Sequence, residues 1–127
     1  MTIVGLGTHI LECSRVQKLI LKHADVFLQQ VFTAREVAYC SHRSHSTEFY
    51  AAFWASKEAV FRALGTKWKR GLSWRDIEVL CTKAIAPTVE VTGSTGERLR
   101  SLGVKRIHLT FSYSRYFATA TAIASAG

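Results

Sequence analysis

Residues 48–66 read EFYAAFWASKEAVFRALGT, and this stretch decides the fold. Phe49, Phe53, Val60 and Leu64 fall near helical spacing on one side, which predicts a helix over about 47–64. Gly65 follows as its terminator, because glycine accepts the left-handed conformation in which helices end. Any chemistry is expected to centre on Ser56-Lys57-Glu58-Ala59. Glu58 has Trp54 four residues before it and Phe61 three after, so it borders an apolar face. A carboxylate there needs a partner, since burying an unpaired charge is costly. Arg62, one turn on, is one partner, and an exposed pair of that kind contributes about 0.3–0.5 kcal/mol. A metal ion is the other.

On the N-terminal side, IVGLGTHI (3–10) reads as a strand in which Gly5 and Gly7 mark a close backbone approach or a bulge. GLGT lacks the third glycine and the strand–turn–helix setting of a dinucleotide fingerprint. Ser14 caps a predicted helix with Val16, Leu19 and Ile20 on one face, and a short helix is expected around 25–32. Thr33-Ala34-Arg35-Glu36 has capping-box spacing and opens another. CSHRSHST (40–47) reads as a polar loop, either solvated or, through His42, Arg43 and His45, attractive to phosphate.

On the C-terminal side comes a basic loop, Lys67-Trp68-Lys69-Arg70-Gly71. Strands are expected at 76–82 and 88–92, with Pro87 just before the second, where it removes no ladder hydrogen bond. A helix over 94–102 closes at Gly103, and strands at 104–111 and 116–124 flank the turn Ser112-Tyr113-Ser114-Arg115. Without repeat or linker, residues 1–127 form a single α+β domain.

The 127 residues, 48% apolar and 20% charged, suit one globular core. No apolar run approaches the roughly 20 residues that cross a bilayer, and the N-terminus lacks a signal-peptide pattern, so no membrane and a cytoplasmic location are expected. Cys13, Cys40 and Cys81, odd in number and widely spaced, read as reduced thiols. A net charge of +8 favours an anionic partner: nucleic acid, a phosphorylated cofactor or an acidic protein. Without a long Lys/Arg run or a recognisable nucleic-acid motif, no nucleic acid is expected.

The stretch 48–66 resembles the signature helix of the holo-acyl-carrier-protein synthases, the short 4′-phosphopantetheinyl transferases, whose pattern runs EFLAGRFAAKEAFSKALGT. The resemblance extends along nearly the whole chain. VGLGTHILECSRV (4–16) is similar to VGIGTDIVEIxRI, and LSWRDIEV (72–79) to LSWRDIEI. HLTFSYSRYFATA (108–120) falls where the family has SLSHxxxYAxA, and Pro87 matches a family proline.

What the resemblance implies is specific. The fold is an antiparallel sheet packed against the signature helix, with three subunits assembling around a shared sheet core and active sites in the clefts between them. The reaction transfers 4′-phosphopantetheine from coenzyme A to a serine of an apo-acyl carrier protein, releasing adenosine 3′,5′-bisphosphate. Magnesium bridges the coenzyme's pyrophosphate and two carboxylates. Glu58 matches the helix carboxylate, a metal ligand, with Lys57 beside it as a catalytic residue. Arg62, Gly65, Thr66, Arg43, His45, Pro87, Ser112 and Tyr113 fall on the coenzyme side, and Arg15 faces the carrier protein.

Several positions depart from the pattern. His9 stands where the family has its magnesium-binding Asp, and Tyr113 where it has a histidine. Phe53 replaces an arginine for coenzyme phosphates, Phe61 replaces a small polar residue of the same cleft, and LQQVFT (28–33) has lost arginines. An imidazole suits manganese or another transition metal better than magnesium, so His9 and Glu58 form an altered metal pair in this reading. The competing reading is a catalytically impaired relative that binds an acyl carrier protein, coenzyme A or another anionic ligand.

Overall fold

Alternation in FATATAIAS, residues 117–125, sets the architecture. Ala118, Ala120, Ala122 and Ala124 are buried on one face of strand β5 (Phe117–Ser125), while Thr119 and Thr121 point the other way. The computed structural model, which describes residues 1–69, 71–82 and 85–127, lays helix α4 (Ser46–Ala63) across those alanines. The helix answers with small residues of its own: Ala51, Ala52, Ala55, Ala59 and Ala63 are all buried. Small side chains on both partners let helix and sheet approach closely.

Strand β1 (Ile3–Glu12) pairs antiparallel with β5, which pairs on its other side with β4 (Arg106–Tyr113), giving the order β1-β5-β4. A second, two-stranded antiparallel sheet joins β2 (Ile77–Thr82) and β3 (Ile85–Val91). Helices α1 (Cys13–His23), α2 (Asp25–Val31) and α3 (Ala34–Ser41) connect β1 to α4, and α5 (Gly93–Ser101) connects the sheets. The α+β class and antiparallel sheet expected from the sequence are present.

The two glycines of β1 are close approaches. A Cβ on Gly5 would lie 1.9 Å from the Ala63 carbonyl oxygen, and one on Gly7 would lie 2.1 Å from that of Ala59. β1 therefore rests on the α4 backbone itself.

Several local expectations shift. Ser14 is no cap: α1 begins at Cys13, and its N-cap Glu12 makes no side-chain cap bond. The predicted loop 40–47 shrinks, because α3 runs through Ser41 and α4 starts at Ser46. Pro87 lies inside β3 rather than before it, where the ladder shifts register between Leu80 and Thr82. The missing N–H is tolerated there because the pairing is already irregular. The turn predicted over 112–115 begins later, since β4 runs through Tyr113. Arg70 lies outside the described residues.

The capping box forms as predicted. Thr33 Oγ1 accepts from the Glu36 N–H at 3.3 Å, and Glu36 Oε1 accepts from the Thr33 N–H at 2.9 Å. The same carboxylate reaches further. Its Oε1 accepts from Lys57 Nζ at 2.7 Å, and its Oε2 accepts from the Val79 N–H at 2.8 Å. Lys57 also donates to the carbonyls of Trp74, at 3.2 Å, and Ile77. Both side chains are sealed from solvent, so one buried ion pair ties α3, α4 and the start of β2 together.

Candidate functional site

The close approaches of β1 fix what faces Glu58. Gly5 meets Ala63 and Gly7 meets Ala59, so strand and helix run antiparallel, two strand residues to four helical ones. The match is metric: two strand residues advance about 6.6 Å and four helical residues about 6 Å. One more step puts His9, on the same face as Gly5 and Gly7, against the turn of α4 that holds Ala55 and Glu58. His9 and Glu58 are both half-buried at the edge where strand and helix meet.

Two guanidinium groups flank this pair. Arg62 is exposed, one turn beyond Glu58. Arg15, from α1, lies over the Trp54 ring at 5.6 Å, one turn before it. Burial first, then the positive charges of Arg62 and Arg15, hold the His9 imidazole below the ordinary histidine range, so it is neutral at pH 7. Burial raises the Glu58 carboxyl, against the opposing pull of Arg62 and Arg15. The site thus offers a neutral nitrogen base, one carboxylate of raised basicity and two fixed cations.

Arg62 continues into a cleft of about 480 Å³ with Gly65, Thr66, Lys67 and Lys69. Arg98 of α5 shapes its edge: Nε donates to the Leu64 carbonyl at 2.7 Å and Nη2 to that of Gly65 at 3.1 Å. These bonds satisfy the two carbonyls just past the end of α4, and Gly65 takes the expected positive φ of 72°. Trp68 stacks on Trp74 with centroids 5.7 Å apart.

The remaining predicted residues are distributed around the subunit. His45 and Tyr113 line a second cleft, of about 570 Å³, with Glu48 and Arg115. His45 Nδ1 lies 3.2 Å from Glu48 Oε2, and the Tyr113 ring packs on Phe49 at 5.0 Å. Ser112 is exposed on β4 beside it. Arg43 stacks over the Tyr39 ring at 4.0 Å. Pro87 borders a third cleft, between β3 and β4, with Lys105, Arg106 and His108.

Three residues of the signature helix lie in the interior: Lys57, Phe53 and Phe61. The Lys57 ammonium is fully enclosed and paired with Glu36. Phe53 and Phe61 do not line the cleft. Phe53 is buried against Tyr39 and Phe111, and Phe61 against Trp74. Both sit in the core, where aromatic burial is favourable. Glu36 and Arg98 were missed, because each acts through a partner more than 20 positions away, Lys57 for one and Leu64 for the other. A capping box advertises a helix start and nothing about a distant lysine.

The donor set does not fit the magnesium ion that the resemblance implies. Magnesium demands near-octahedral oxygen coordination, and this edge supplies one carboxylate and one imidazole between two guanidinium groups. Among the described residues, no group of three or more His, Cys, Asp or Glu side chains is placed to hold a metal ion. No described helix is long and apolar enough to cross a membrane.

Comparison with known proteins places this geometry in a family. Residues 5–121 match the family model of the 4′-phosphopantetheinyl transferase superfamily. A holo-[acyl-carrier-protein] synthase of Chlamydia trachomatis is 42% identical over 120 residues, covering 94% of this chain and 98% of that protein. One of Rhodopirellula baltica is 37% identical over 115 residues, covering 91% of each. The crystal structure of a Bacillus anthracis holo-(acyl-carrier-protein) synthase in complex with CoA (3′,5′-ADP) superposes with a TM-score of 0.80 at 29% identity and covers 100% of both chains. The Neisseria meningitidis enzyme superposes with a TM-score of 0.87, covering 98% of this chain and 99% of that one, at 24% identity. The chain therefore belongs to the 4′-phosphopantetheinyl transferase superfamily, among the holo-[acyl-carrier-protein] synthases.

Proposed function

We propose that this protein transfers 4′-phosphopantetheine from coenzyme A to a serine hydroxyl of an apo-acyl carrier protein. The observation that carries the proposal is the edge where His9, Glu58 and Arg62 meet and open into the basic cleft at Gly65–Lys69, in a chain of this family. The serine oxygen attacks the phosphorus that bears the pantetheine arm. An oxygen–phosphorus bond forms, and the phosphoanhydride bond to adenosine 3′,5′-bisphosphate breaks with its electron pair. In this reading His9 takes the serine proton, which its lowered basicity and neutral state allow, and Glu58 orients the imidazole or the hydroxyl. Arg62 and the cleft lysines stabilise charge on the phosphate oxygens.

Two further parts of the reading follow from the surface. The carrier protein docks at α1 and the start of α2, where Arg15, Lys18, Leu21, Lys22 and Val26 are exposed. Cations there suit an acidic partner. The assembly is a homotrimer whose subunits meet through the outer face of the three-stranded sheet. Leu6 and Ile10 are 61% and 64% exposed on that face, an unusual load of apolar surface for a lone subunit. The scatter of Arg62, Pro87 and Tyr113 over three clefts of one subunit also supports sites completed by a neighbour. Sedimentation or light scattering tests this: a single monomeric species at micromolar concentration rejects the trimer.

The activity test is direct. The protein is incubated with coenzyme A and a panel of apo-carrier proteins, and the carriers are weighed by mass spectrometry. A phosphopantetheinyl mass increase supports the proposal. Binding of coenzyme A or carrier without transfer favours the impaired relative instead.

A further inference from the structure

The family's bridging metal and this chain's donor set disagree, and the disagreement has a charge pattern. We propose that the edge formed by His9, Glu58, Arg15 and Arg62 receives the donor's diphosphate directly, with guanidinium groups in place of a resident divalent cation. The inference rests on the proposed donor being a diphosphate such as coenzyme A.

A divalent cation joins two anions: carboxylates on one side and phosphate oxygens on the other. Here the protein contributes a single carboxylate, Glu58, flanked by the two fixed positive charges of Arg62 and Arg15. Two guanidinium charges stand against one carboxylate, so the edge favours an anion over a cation before any ion arrives. A divalent ion entering this edge is repelled by both arginines, and it finds one hard oxygen ligand where it needs several. A diphosphate is attracted by the same arginines. Guanidinium donors match phosphate oxygens in paired geometry and remain charged at any pH of interest.

The surroundings favour the anion as well. The cleft beyond Arg62 adds Lys67 and Lys69, both exposed, so the positive field extends from the edge along the way out. Neither arginine is consumed by an ion pair with Glu58 among the described residues, which leaves both available. His9 meets the helix where an acidic residue would complete a metal site, and it adds no negative charge.

Binding measurements test this without relying on turnover. Coenzyme A and inorganic pyrophosphate are titrated by calorimetry into the wild-type protein and the Arg62→Ala, Arg15→Ala and His9→Asp variants. Each titration is run in EDTA and again with magnesium or manganese. The inference expects both probes to bind in EDTA, with affinities changed less than about twofold by either metal. It expects Arg62→Ala to weaken both probes about tenfold or more, with a smaller loss in Arg15→Ala. His9→Asp, by supplying a second carboxylate, makes binding rise with magnesium. A tenfold or larger gain in wild-type affinity on adding a divalent metal overturns the inference. So does failure of pyrophosphate to bind in EDTA. Pyrophosphate binding in EDTA without coenzyme A binding under any condition upholds the anion site and rejects coenzyme A as the donor.

Discussion

Lys57 and Glu58 are neighbours on one helix with opposite fates. The Lys57 side chain turns inward, is fully enclosed, and holds Glu36 and two backbone carbonyls. Glu58 turns to a half-open edge, where the charges of Arg62 and Arg15 act on it as they do on His9. A helix rotates about 100° per residue, so adjacent charges can serve different solvents. The difference teaches where the two halves of a charged pair of letters belong. One fixes the position of α4, and the other uses it.

The largest test of the comparison breaks the buried side. Lys57→Met leaves the Glu36 carboxylate enclosed without its cation, and removing one partner of a buried pair costs about 3–5 kcal/mol. Urea denaturation measures the loss. Changing both, as Glu36→Leu with Lys57→Met, recovers more than half of it, because no unpaired charge then remains. A single variant as stable as wild type denies the pair its anchoring role.

A second test attacks the contact that aligns strand and helix. Gly7→Ala forces a Cβ to 2.1 Å from the Ala59 carbonyl oxygen, so α4 must move off β1. Overpacking of this kind costs about 1–3 kcal/mol. Thermal unfolding gives the stability change, and calorimetry with pyrophosphate tells whether His9 and Glu58 have been pulled apart. Unchanged stability and unchanged binding together reject the close approach.

A third, smaller effect sharpens the open side. Burial raises the Glu58 carboxyl, so the folded state holds that proton more tightly than the unfolded chain. Ionised Glu58 therefore costs stability at pH values above its folded pKa, and that cost disappears as pH falls below the unfolded carboxylate value near 4.3. Glu58→Gln should be more stable than wild type at pH 7, by less than about 1 kcal/mol for a group that solvent still reaches, and equal to it near pH 3. Melting temperatures across that range check the sign.

Much of this division was legible in the sequence, and the reasons are physical. Helix α4, the capping box at Thr33 and the Gly65 terminator declared themselves, because their signals are local spacing. His9 and Glu58 were paired by family resemblance, and the two glycines already hinted that β1 lies close to another backbone. What stayed hidden was long-range. Nothing around Lys57 names Glu36 as its partner 21 positions away. Phe53 and Phe61, which stand where the family has polar residues, are core, because their place on the helix circumference points them at Tyr39 and Trp74. The charge on the edge likewise depends on Arg15 arriving from α1, a tertiary fact.

The central claim is that the open edge of α4 is the transferase site while its buried side is scaffold. The most direct measurement compares wild type with Glu58→Gln for phosphopantetheinyl transfer to an apo-carrier protein, by mass spectrometry, on samples of verified fold. The account predicts transfer by wild type and a loss of about 10²-fold or more in the variant, the scale set by removing one polar group from a reacting centre. Transfer by Glu58→Gln at the wild-type rate contradicts it.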